Sequence, residues 1–300
     1  MKNINTIFLV ILILVIIIMF SRYLLKSNKN ILSYHEGFTQ NEKYLSKLNE
    51  DIYDDFYVSI YDELHDTMNI VDYEYDELIK TVPFNDNSKL LDIGSGTGYF
   101  LNVLSNNDIN AVGLEKSTSM KNNSENLYPN IYVINGDAND PKTFDRTTFS
   151  HITMLSFTFY EFEEQYNLIK NCFFWLQNNG YLIIHLVDKD KYNPLIAASN
   201  PFTNMNPQQF TSERIKKSRI DFGDFNYLNQ VDFKNDNRIS IKETFTDNLT
   251  QNVRENELTI YVSPLQKTLN MIINTGFIAK GKFNFKNDPH QFVYIFTKAV

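Results

Sequence analysis

The chain of 300 residues has almost no capacity for covalent cross-linking, because it contains a single cysteine, Cys172. One cysteine cannot form an internal disulfide bond, which excludes a disulfide-stabilised scaffold and is compatible with a reducing compartment. Cys172 lies in the mostly apolar stretch "NCFFWL". This context predicts a small buried side chain rather than a reactive thiol.

Basic residues are also scarce, and the formal net charge is -8. Residues 49–79 contain eleven acidic residues and no lysine or arginine. An acidic surface repels a phosphate backbone, which argues against a nucleic-acid substrate. Most of these acids fit the polar face of an amphipathic helix, since Ile52, Phe56, Ile60 and Leu64 recur every four residues between them.

Metal-binding motifs are missing as well. His35, His65, His151 and His290 show none of the spacings that place several ligands around one ion. We therefore predict no metal site.

The most apolar segment of the chain lies at its start. Ile7 to Phe20 form fourteen uninterrupted apolar residues, and the stretch from Ile4 to Leu25 has a length of 22 residues. A helix of this length spans a bilayer core of roughly 30 Å. More cations follow the segment than precede it, which predicts a cytosolic C-terminal domain. The flanking cations are Lys2 before the segment and Arg22, Lys26 and Lys29 after it.

A cleaved signal peptide is the alternative for this segment. Signal cleavage favours small residues, and the first alanine of the chain is Ala111. Ser21 and Ser27 are the nearest small candidates, with Met19 and Leu25 poorly suited two positions before them. We therefore predict an uncleaved transmembrane anchor at residues 1–25, a linker at 26–48 and a globular domain at 49–300.

Strand-like and helix-like patterns alternate from Ser88 onward, after helical patterns that run from about Asn49 to Lys80. Alternation of this kind is typical of a parallel sheet with helices on both faces. A long helix is predicted from about Glu163 to Gln177. Strands are predicted at residues 89–94, 110–115, 131–136, 149–157 and 181–188.

The alternation stops after Asp188, where a loop rich in proline and asparagine begins. Three alternating runs within residues 226–262 predict an antiparallel meander. A helix ending near Gly276 follows, with that glycine suited to a C-cap. Two final strands, joined through "KNDP", predict a closing hairpin.

The stretch "LLDIGSGTGYF" places three glycines directly after the first of the alternating strands. The dinucleotide fingerprint requires a glycine at position 99, and Tyr99 stands there. A Walker loop requires a nearby lysine, and none is present. The remaining pattern is D-x-G-x-G-x-G, formed by Asp92, Gly94, Gly96 and Gly98. Glycines at these positions allow a ligand to approach the backbone closely.

This pattern resembles the class I S-adenosylmethionine-dependent methyltransferases, and the resemblance covers roughly residues 49–300. It implies a Rossmann-like, doubly wound α/β fold with a seven-stranded, mostly parallel sheet, an antiparallel last strand and an inserted antiparallel meander. Glu115 ends the second alternating strand, where that family places an acid on the ribose hydroxyls. Asp137, in "NGDAND", would accept from the adenine amine, with Ala138 beside the ring. The implied cofactor is S-adenosyl-L-methionine, held also by the loop residues Asp92, Gly94, Ser95, Gly96 and Gly98.

Candidate catalytic residues follow the fourth and fifth alternating strands, where open α/β sheets bind ligands. Tyr160 and Glu161 come after the fourth strand, and His185 lies in the fifth. We predict that Tyr160 and His185 are the catalytic residues. The competing interpretation of His185 is a histidine buried inside the fold. Tyr57 is predicted to close over the cofactor, because an aromatic face attracts a sulfonium. The competing interpretation of Tyr57, and of its neighbours Tyr53 and Tyr61, is a role in the core, which their place on the leading helix favours.

Residues 189–262 resemble the segments that cover the substrate in other members of the family. We therefore predict that they cover the acceptor site. The signature N/D-P-P-Y of its amino-methylating branch is missing after the fourth strand, which weakens DNA-adenine and glutamine acceptors. Two functions remain: a membrane-tethered methyltransferase acting on a small molecule or a protein, and an inactive cofactor-binding scaffold that recruits partners at a membrane. A nicotinamide oxidoreductase is disfavoured by Tyr99. The sequence does not determine the oligomeric state.

Overall fold

The computed structural model of the chain describes residues 42–192, 213–234, 236–285 and 288–299, together with Met19 and Gln40. The predicted anchor at residues 1–25 lies outside this description except for Met19, as does the linker up to residue 41 except for Gln40. Residues 193–212 of the predicted insertion also lie outside it. No helix within the described residues is long and apolar enough to cross a membrane.

The described residues form twelve strands, six α-helices and two short 3-10 turns. The strands are β1 (Tyr44–Leu48), β2 (Leu90–Ile93), β3 (Ala111–Glu115), β4 (Val133–Asn135), β5 (Phe149–Met154), β6 (Leu176–Val187), β7 (Lys217–Asp221), β8 (Phe225–Phe233), β9 (Arg238–Asp247), β10 (Val253–Tyr261), β11 (Phe277–Phe285) and β12 (Asp288–Lys298). The helices are α1 (Asp55–His65), α2 (Thr67–Thr81), α3 (Tyr99–Asn106), α4 (Thr118–Leu127), α5 (Gln165–Trp175) and α6 (Leu265–Asn274). The 3-10 turns are Asn49–Ile52 and Thr158–Glu161.

Seven strands form the central sheet in the order β11-β12-β6-β5-β2-β3-β4. β2 pairs in parallel with β3 and β5, while β12 pairs antiparallel with both β6 and β11. The predicted seven-stranded, mostly parallel sheet with an antiparallel last strand is therefore confirmed. The strand order reverses between β2 and β5, which is the position where open α/β sheets bind ligands.

Both faces of this sheet are buried, as expected for parallel strands. Leu90 and Leu91 are consecutive in β2 and point to opposite faces. Leu90 belongs to a core with Leu78 of α2 and Leu104 of α3. Leu91 belongs to a second core that contains Trp175 of α5. Helices on both faces thus hold β2 rigidly and fix the loop that follows it.

A second sheet has the strand order β1-β10-β9-β8-β7. β8, β9 and β10 lie where the three alternating runs predict strands, and β7 extends the antiparallel meander by one strand. β1 pairs in parallel with β10, although it lies inside the predicted linker. Its sequence, "YLSKL", is short and largely exposed, so its pairing with β10 is not apparent from hydrophobic periodicity.

The helical stretch predicted from about Asn49 to Lys80 is divided in the structure. Asp66 adopts a left-handed conformation with φ of 52° and separates α1 from α2. The short polar side chain of aspartate tolerates this conformation better than most residues. The break sends α2 toward the central sheet, while α1 contacts the second sheet through Tyr57 and Phe245.

Candidate active site

A cleft of about 790 Å³ opens at the carboxyl ends of β2, β3, β4 and β5. This volume lies within the range typical of small-molecule sites, about 300–1,000 Å³. Its floor includes Gly94 and Gly96 after β2, Glu115 at the end of β3, and Asp137 with Ala138 after β4. Residues 48–51, Tyr53 and residues of β10 also line it. The structure therefore brings five of the predicted cofactor residues together.

The three glycines of the loop adopt left-handed conformations for different reasons. Gly98, with φ of 81°, is packed against α4, where an added Cβ would lie 2.7 Å from Ser124. An added Cβ at Gly94 would collide with the side chain of Thr158. At Gly96, with φ of 54°, the nearest atom to an added Cβ is 4.0 Å away, so this position faces open space. Gly96 thus lets a ligand approach the backbone, as the fit of a cofactor requires.

Glu115 holds this loop in place. Its carboxylate accepts one hydrogen bond of 2.9 Å from the Gly96 amide and another of 2.8 Å from the Ser117 amide. Burial raises the pKa of Glu115, and the backbone amides oppose this rise. Each carboxylate oxygen retains a further lone pair. The side chain can therefore accept from a vicinal diol, such as a ribose, without releasing the loop.

Asp137 and Ala138 line the far side of the cleft. Asp137 accepts a hydrogen bond of 2.8 Å from the Asn139 amide, and Lys116 lies 3.1 Å from its other oxygen. Lys116 also forms an ion pair with Glu50 of the Asn49–Ile52 turn. Asn171 of α5 donates a 2.8 Å hydrogen bond to the carbonyl of Ala138. The Ala138 backbone is therefore fixed, and its small side chain leaves room for a flat ring.

Asp92, Ser95 and Gly98 do not line the cleft, contrary to their predicted direct contact with the cofactor. Asp92 is 5% exposed and lies under the loop, where Thr153 of β5 donates a 2.6 Å hydrogen bond to it. Burial raises the pKa of Asp92 to about 7. The Ser95 hydroxyl is buried, with no hydrogen-bond partner in the described part of the chain. These residues support the loop from within.

Tyr160 and His185, the predicted catalytic residues, are both sealed in the core. The Tyr160 hydroxyl accepts a 3.0 Å hydrogen bond from the Val187 amide. His185 is 2% exposed, and its ring stacks between Phe157 and Phe285 with centroids 4.0 and 4.6 Å away. The catalytic assignment of both residues is corrected accordingly. The competing interpretation of His185, an internal histidine, agrees with this placement.

Tyr57 is also misassigned, because it points away from the cleft. It is 3% exposed and packs edge-on against Phe245 of β9, with the two ring centroids 6.2 Å apart. Tyr53 and Tyr61 line the cleft instead. Tyr53 donates a 2.9 Å hydrogen bond to Glu161, which follows β5 and also lines the cleft. Aromatic side chains therefore line the cleft, but Tyr53 and Tyr61 supply them in place of Tyr57.

A family model described as "Methyltransferase domain" matches residues 68–229, which is more than half of the chain. The chain belongs to this methyltransferase family. A curated relative, an uncharacterized methyltransferase of Oceanobacillus iheyensis, is 28% identical over 109 residues, which make up 36% of this chain and 51% of the relative. The methyltransferase chain thus spans about half the length of the curated relative that it matches.

Solved methyltransferases share the fold. An S-adenosylmethionine-dependent methyltransferase from Clostridium acetobutylicum is 14% identical, with a TM-score of 0.61 over 81% of this chain and 98% of its own. The CcbJ methyltransferase from Streptomyces caelestis is 13% identical, with a TM-score of 0.62 over 83% and 98%. CalS10, an amino pentose methyltransferase from Micromonospora echinaspora solved with its cofactor bound, is 16% identical, with a TM-score of 0.54 over 79% and 92%. The family model thus agrees with the predicted methyltransferase class, and the solved structures share the predicted fold; the Clostridium acetobutylicum protein among them is named as S-adenosylmethionine-dependent.

Proposed function

We propose that this methyltransferase transfers a methyl group from S-adenosylmethionine to a small molecule and is tethered to a membrane by residues 1–25, with its domain in the cytosol. The observation that carries the proposal is the loop of Gly94 to Gly98. Only Gly96 of its glycines faces open space, and the Glu115 carboxylate binds the amide of that same glycine. A ligand that needs both backbone approach and a hydroxyl acceptor fits this pair.

Four residues would hold the cofactor. Gly96 would contact its amino-acid portion, and Glu115 would accept from the ribose hydroxyls. Asp137 would accept from the adenine amine beside Ala138. When bound, the cofactor supplies a methyl group activated by a sulfonium, and holding the nucleophile in line with that methyl provides most of the rate acceleration.

The walls of the cleft favour a small acceptor over a folded protein. Leu258, Thr259 and Tyr261 of β10 line the cleft together with Thr158 and Glu161 of the turn after β5. A folded protein would have to insert an extended segment into this cleft, whereas a small molecule enters whole. Among proteins that share this fold, CalS10 is named as an amino pentose methyltransferase and KedS8 as a sugar N-methyltransferase.

The membrane tether rests on the apolar run Ile7 to Phe20 and on the three cations that follow it, Arg22, Lys26 and Lys29. Protease treatment of sealed vesicles that contain the full-length chain tests the orientation. We expect the domain to be digested from the cytosolic side. A protected domain, or a mature chain beginning after Phe20, would contradict the tether.

Methyl transfer is tested with the full-length chain, methyl-labelled S-adenosylmethionine and a source-cell extract separated into small-molecule and protein fractions. We expect label in the small-molecule fraction. Gly96→Val is expected to abolish transfer, because its side chain would occupy the open space at Gly96. Leu249→Val, at an exposed turn remote from the cleft, is the control. Label in protein alone would refute a small-molecule acceptor, and cofactor binding without transfer would indicate a scaffold.

A further inference from the structure

Glu161 lines the cleft and belongs to the turn that packs against the glycine loop. It ends the 3-10 turn after β5, and Thr158 of the same turn packs on Gly94 of the loop. Two non-glycine residues just before the turn, Ser156 and Phe157, adopt left-handed conformations with φ of 48° and 65°. Strain of this kind persists only where the surrounding structure enforces it, and it concentrates at functional sites.

The charge of the cleft walls is strongly negative. Lys116 is the only cation that lines the cleft within the described residues, and it is already paired with Glu50 and Asp137. Six carboxylates line the same walls: Glu50, Asp51, Glu115, Asp137, Glu161 and Glu163. Glu115 and Asp137 belong to the proposed cofactor contacts. The acids left over, including Glu161 and Glu163, therefore face the space available to an acceptor.

We propose that Glu161 is the general base of this methyltransferase and that the acceptor is an amine that enters the cleft as an ammonium ion. This inference rests on the proposed function, because it concerns the second ligand of the same cleft. Aromatic residues complete the environment that an ammonium favours, since Tyr53 and Tyr61 lie beside Glu161. Negative walls and aromatic faces both attract a cation.

The groups around Glu161 prepare it to accept a proton near neutral pH. Burial of its carboxyl among the cleft walls is the largest cause that raises its pKa, to about 7, and the charge of Glu115 adds to this rise. The hydrogen bond from Tyr53 acts in the opposite direction. Tyr61 and Tyr192 also face this carboxylate. Solvent reaches the exposed side of Glu161 at the cleft mouth and moderates the shift.

Glu163 is the second acid available to the acceptor. It lies two residues beyond Glu161 and is hydrogen-bonded to Tyr261 of β10. This bond ties it to the second sheet, whereas Glu161 is tied to Tyr53 before α1. Both acids line the cleft, so that one can take a proton while the other holds the positive charge.

The proposed step balances as follows. The Glu161 carboxylate takes one proton from the ammonium, which leaves a neutral amine with a free lone pair. That lone pair forms the new N–C bond to the methyl group, and the C–S bond breaks with its electron pair going to sulfur. The products are a methylated ammonium, the thioether S-adenosylhomocysteine and a protonated Glu161, which then loses its proton to water.

Other acceptor atoms fit these walls less well. A carboxylate acceptor would be repelled by the acids. A hydroxyl gains nothing from their charge and holds its proton about nine powers of ten more tightly than a carboxyl of pKa near 7. An alkyl ammonium with a pKa of about 10.4 differs from that carboxyl by only about three powers of ten. Proton transfer to Glu161 is therefore much less unfavourable from an ammonium than from an alcohol.

Calorimetry on the full-length chain, purified in a mild detergent and saturated with S-adenosylhomocysteine, tests the inference without turnover. The probes are cyclohexylamine, phenethylamine and spermidine, with cyclohexanol and 2-phenylethanol as neutral counterparts. Titrations at pH 6 in buffers of different ionisation enthalpy report proton release. We expect amines to bind with release of protons, because the raised pKa of Glu161 leaves part of the carboxyl protonated at that pH. Glu161→Gln is expected to bind amines at least tenfold more weakly and to release no proton.

Glu164→Gln is the matched control, since Glu164 is the neighbouring acid outside the cleft lining. It should behave as wild type. Glu161→Asp should restore the proton release at lower affinity, which distinguishes the carboxylate from a structural role and replaces Glu161→Gln if that variant does not fold. Labelled methyl transfer to the same probes should reach amines only.

Three results would overturn the inference: label on alcohols but not amines, no amine binding to the chain saturated with S-adenosylhomocysteine, or unchanged proton release in Glu161→Gln. Failure of S-adenosylhomocysteine itself to bind would instead contradict the proposed function. The two failures are thereby distinguished.

Discussion

Asp92→Asn probes how the loop is supported from below. Asp92 is 5% exposed, and its carboxylate accepts a 2.6 Å hydrogen bond from the Thr153 hydroxyl. Asparagine keeps the shape of the side chain and an oxygen that accepts from Thr153, but it carries no charge. The substitution therefore isolates the cost of holding a carboxylate at this position.

The free-energy cost of a charged Asp92 in the folded chain follows from the shift of its pKa. Burial raises the pKa of Asp92 from 3.8 to about 7, with Glu74 and Glu115 contributing like charge. Between about pH 4 and 7 the folded chain binds more protons at this site than the unfolded chain, so this residue lowers the free energy of unfolding as the pH rises through that window. Above pH 7 the full cost applies, about 4 kcal/mol at most.

Asp92→Asn removes this cost and should be more stable than wild type at pH 8, by up to about 4 kcal/mol. The difference should shrink as the pH falls and vanish near pH 4. Urea unfolding at pH 4.5, 6 and 8, followed by the fluorescence of the buried Trp175, measures it. Equal urea m-values in both chains would show that the comparison is valid. A variant less stable than wild type at pH 8, or a difference independent of pH, would refute the reasoning.

Three further predictions concern the cleft. Glu115→Ala should weaken S-adenosylhomocysteine binding by about ten- to a hundredfold in calorimetry, because it removes charge-assisted hydrogen bonds worth roughly 1.5–3 kcal/mol; unchanged affinity would remove its ribose role. Gly94→Ala should lower thermal stability, because its Cβ collides with a neighbouring side chain. Gly96→Ala should keep more of the stability and lose cofactor affinity. The reverse pattern would contradict the positions assigned to these two glycines. Tyr53→Phe should move the pH midpoint of amine-linked proton release upward, since the lost hydrogen bond stabilises the Glu161 carboxylate; a downward shift would contradict the assigned contact.

The parallel sheet with helices on both faces was accessible from sequence because its strands are strongly apolar and separated by helical periods. The strand pattern also fixed which residues end β2, β3 and β4, so Gly96, Glu115, Asp137 and Ala138 were correctly placed at one edge. Residues that end neighbouring parallel strands must meet there.

The residues after β5 were harder to place. Ser156 and Phe157 both adopt left-handed conformations, which few residues other than glycine adopt and which no local sequence feature announces. They reverse the chain so that Tyr160 enters the core and Glu161 faces the cleft. A sequence pattern predicts where the strand ends, but it does not predict the direction of the side chains that follow the strand. The same limit applies to His185, whose face of β6 is covered by α2 through Glu74.

β1 was missed for a different reason. Its five residues have exposed side chains at alternate positions, and its pairing with β10 is made by backbone groups between segments about 200 residues apart. Hydrophobic periodicity carries no information about such a contact. Yet β1 leads directly into the Asn49–Ile52 turn, whose residues line the cleft. The cover of the cofactor site therefore depends on a pairing that the sequence did not reveal.

The central claim is that the cleft at the end of β2 binds S-adenosylmethionine, and thermal unfolding of the full-length chain with different ligands tests it most directly. At a free concentration one hundred times its dissociation constant, a ligand adds about 2.7 kcal/mol to the stability of the folded state. For a domain of this size, that corresponds to a rise in Tm of roughly 5–10 °C. We predict such a rise with S-adenosylmethionine and with S-adenosylhomocysteine, and none with NAD. A rise with NAD alone, or no rise with any of the three, would contradict the account.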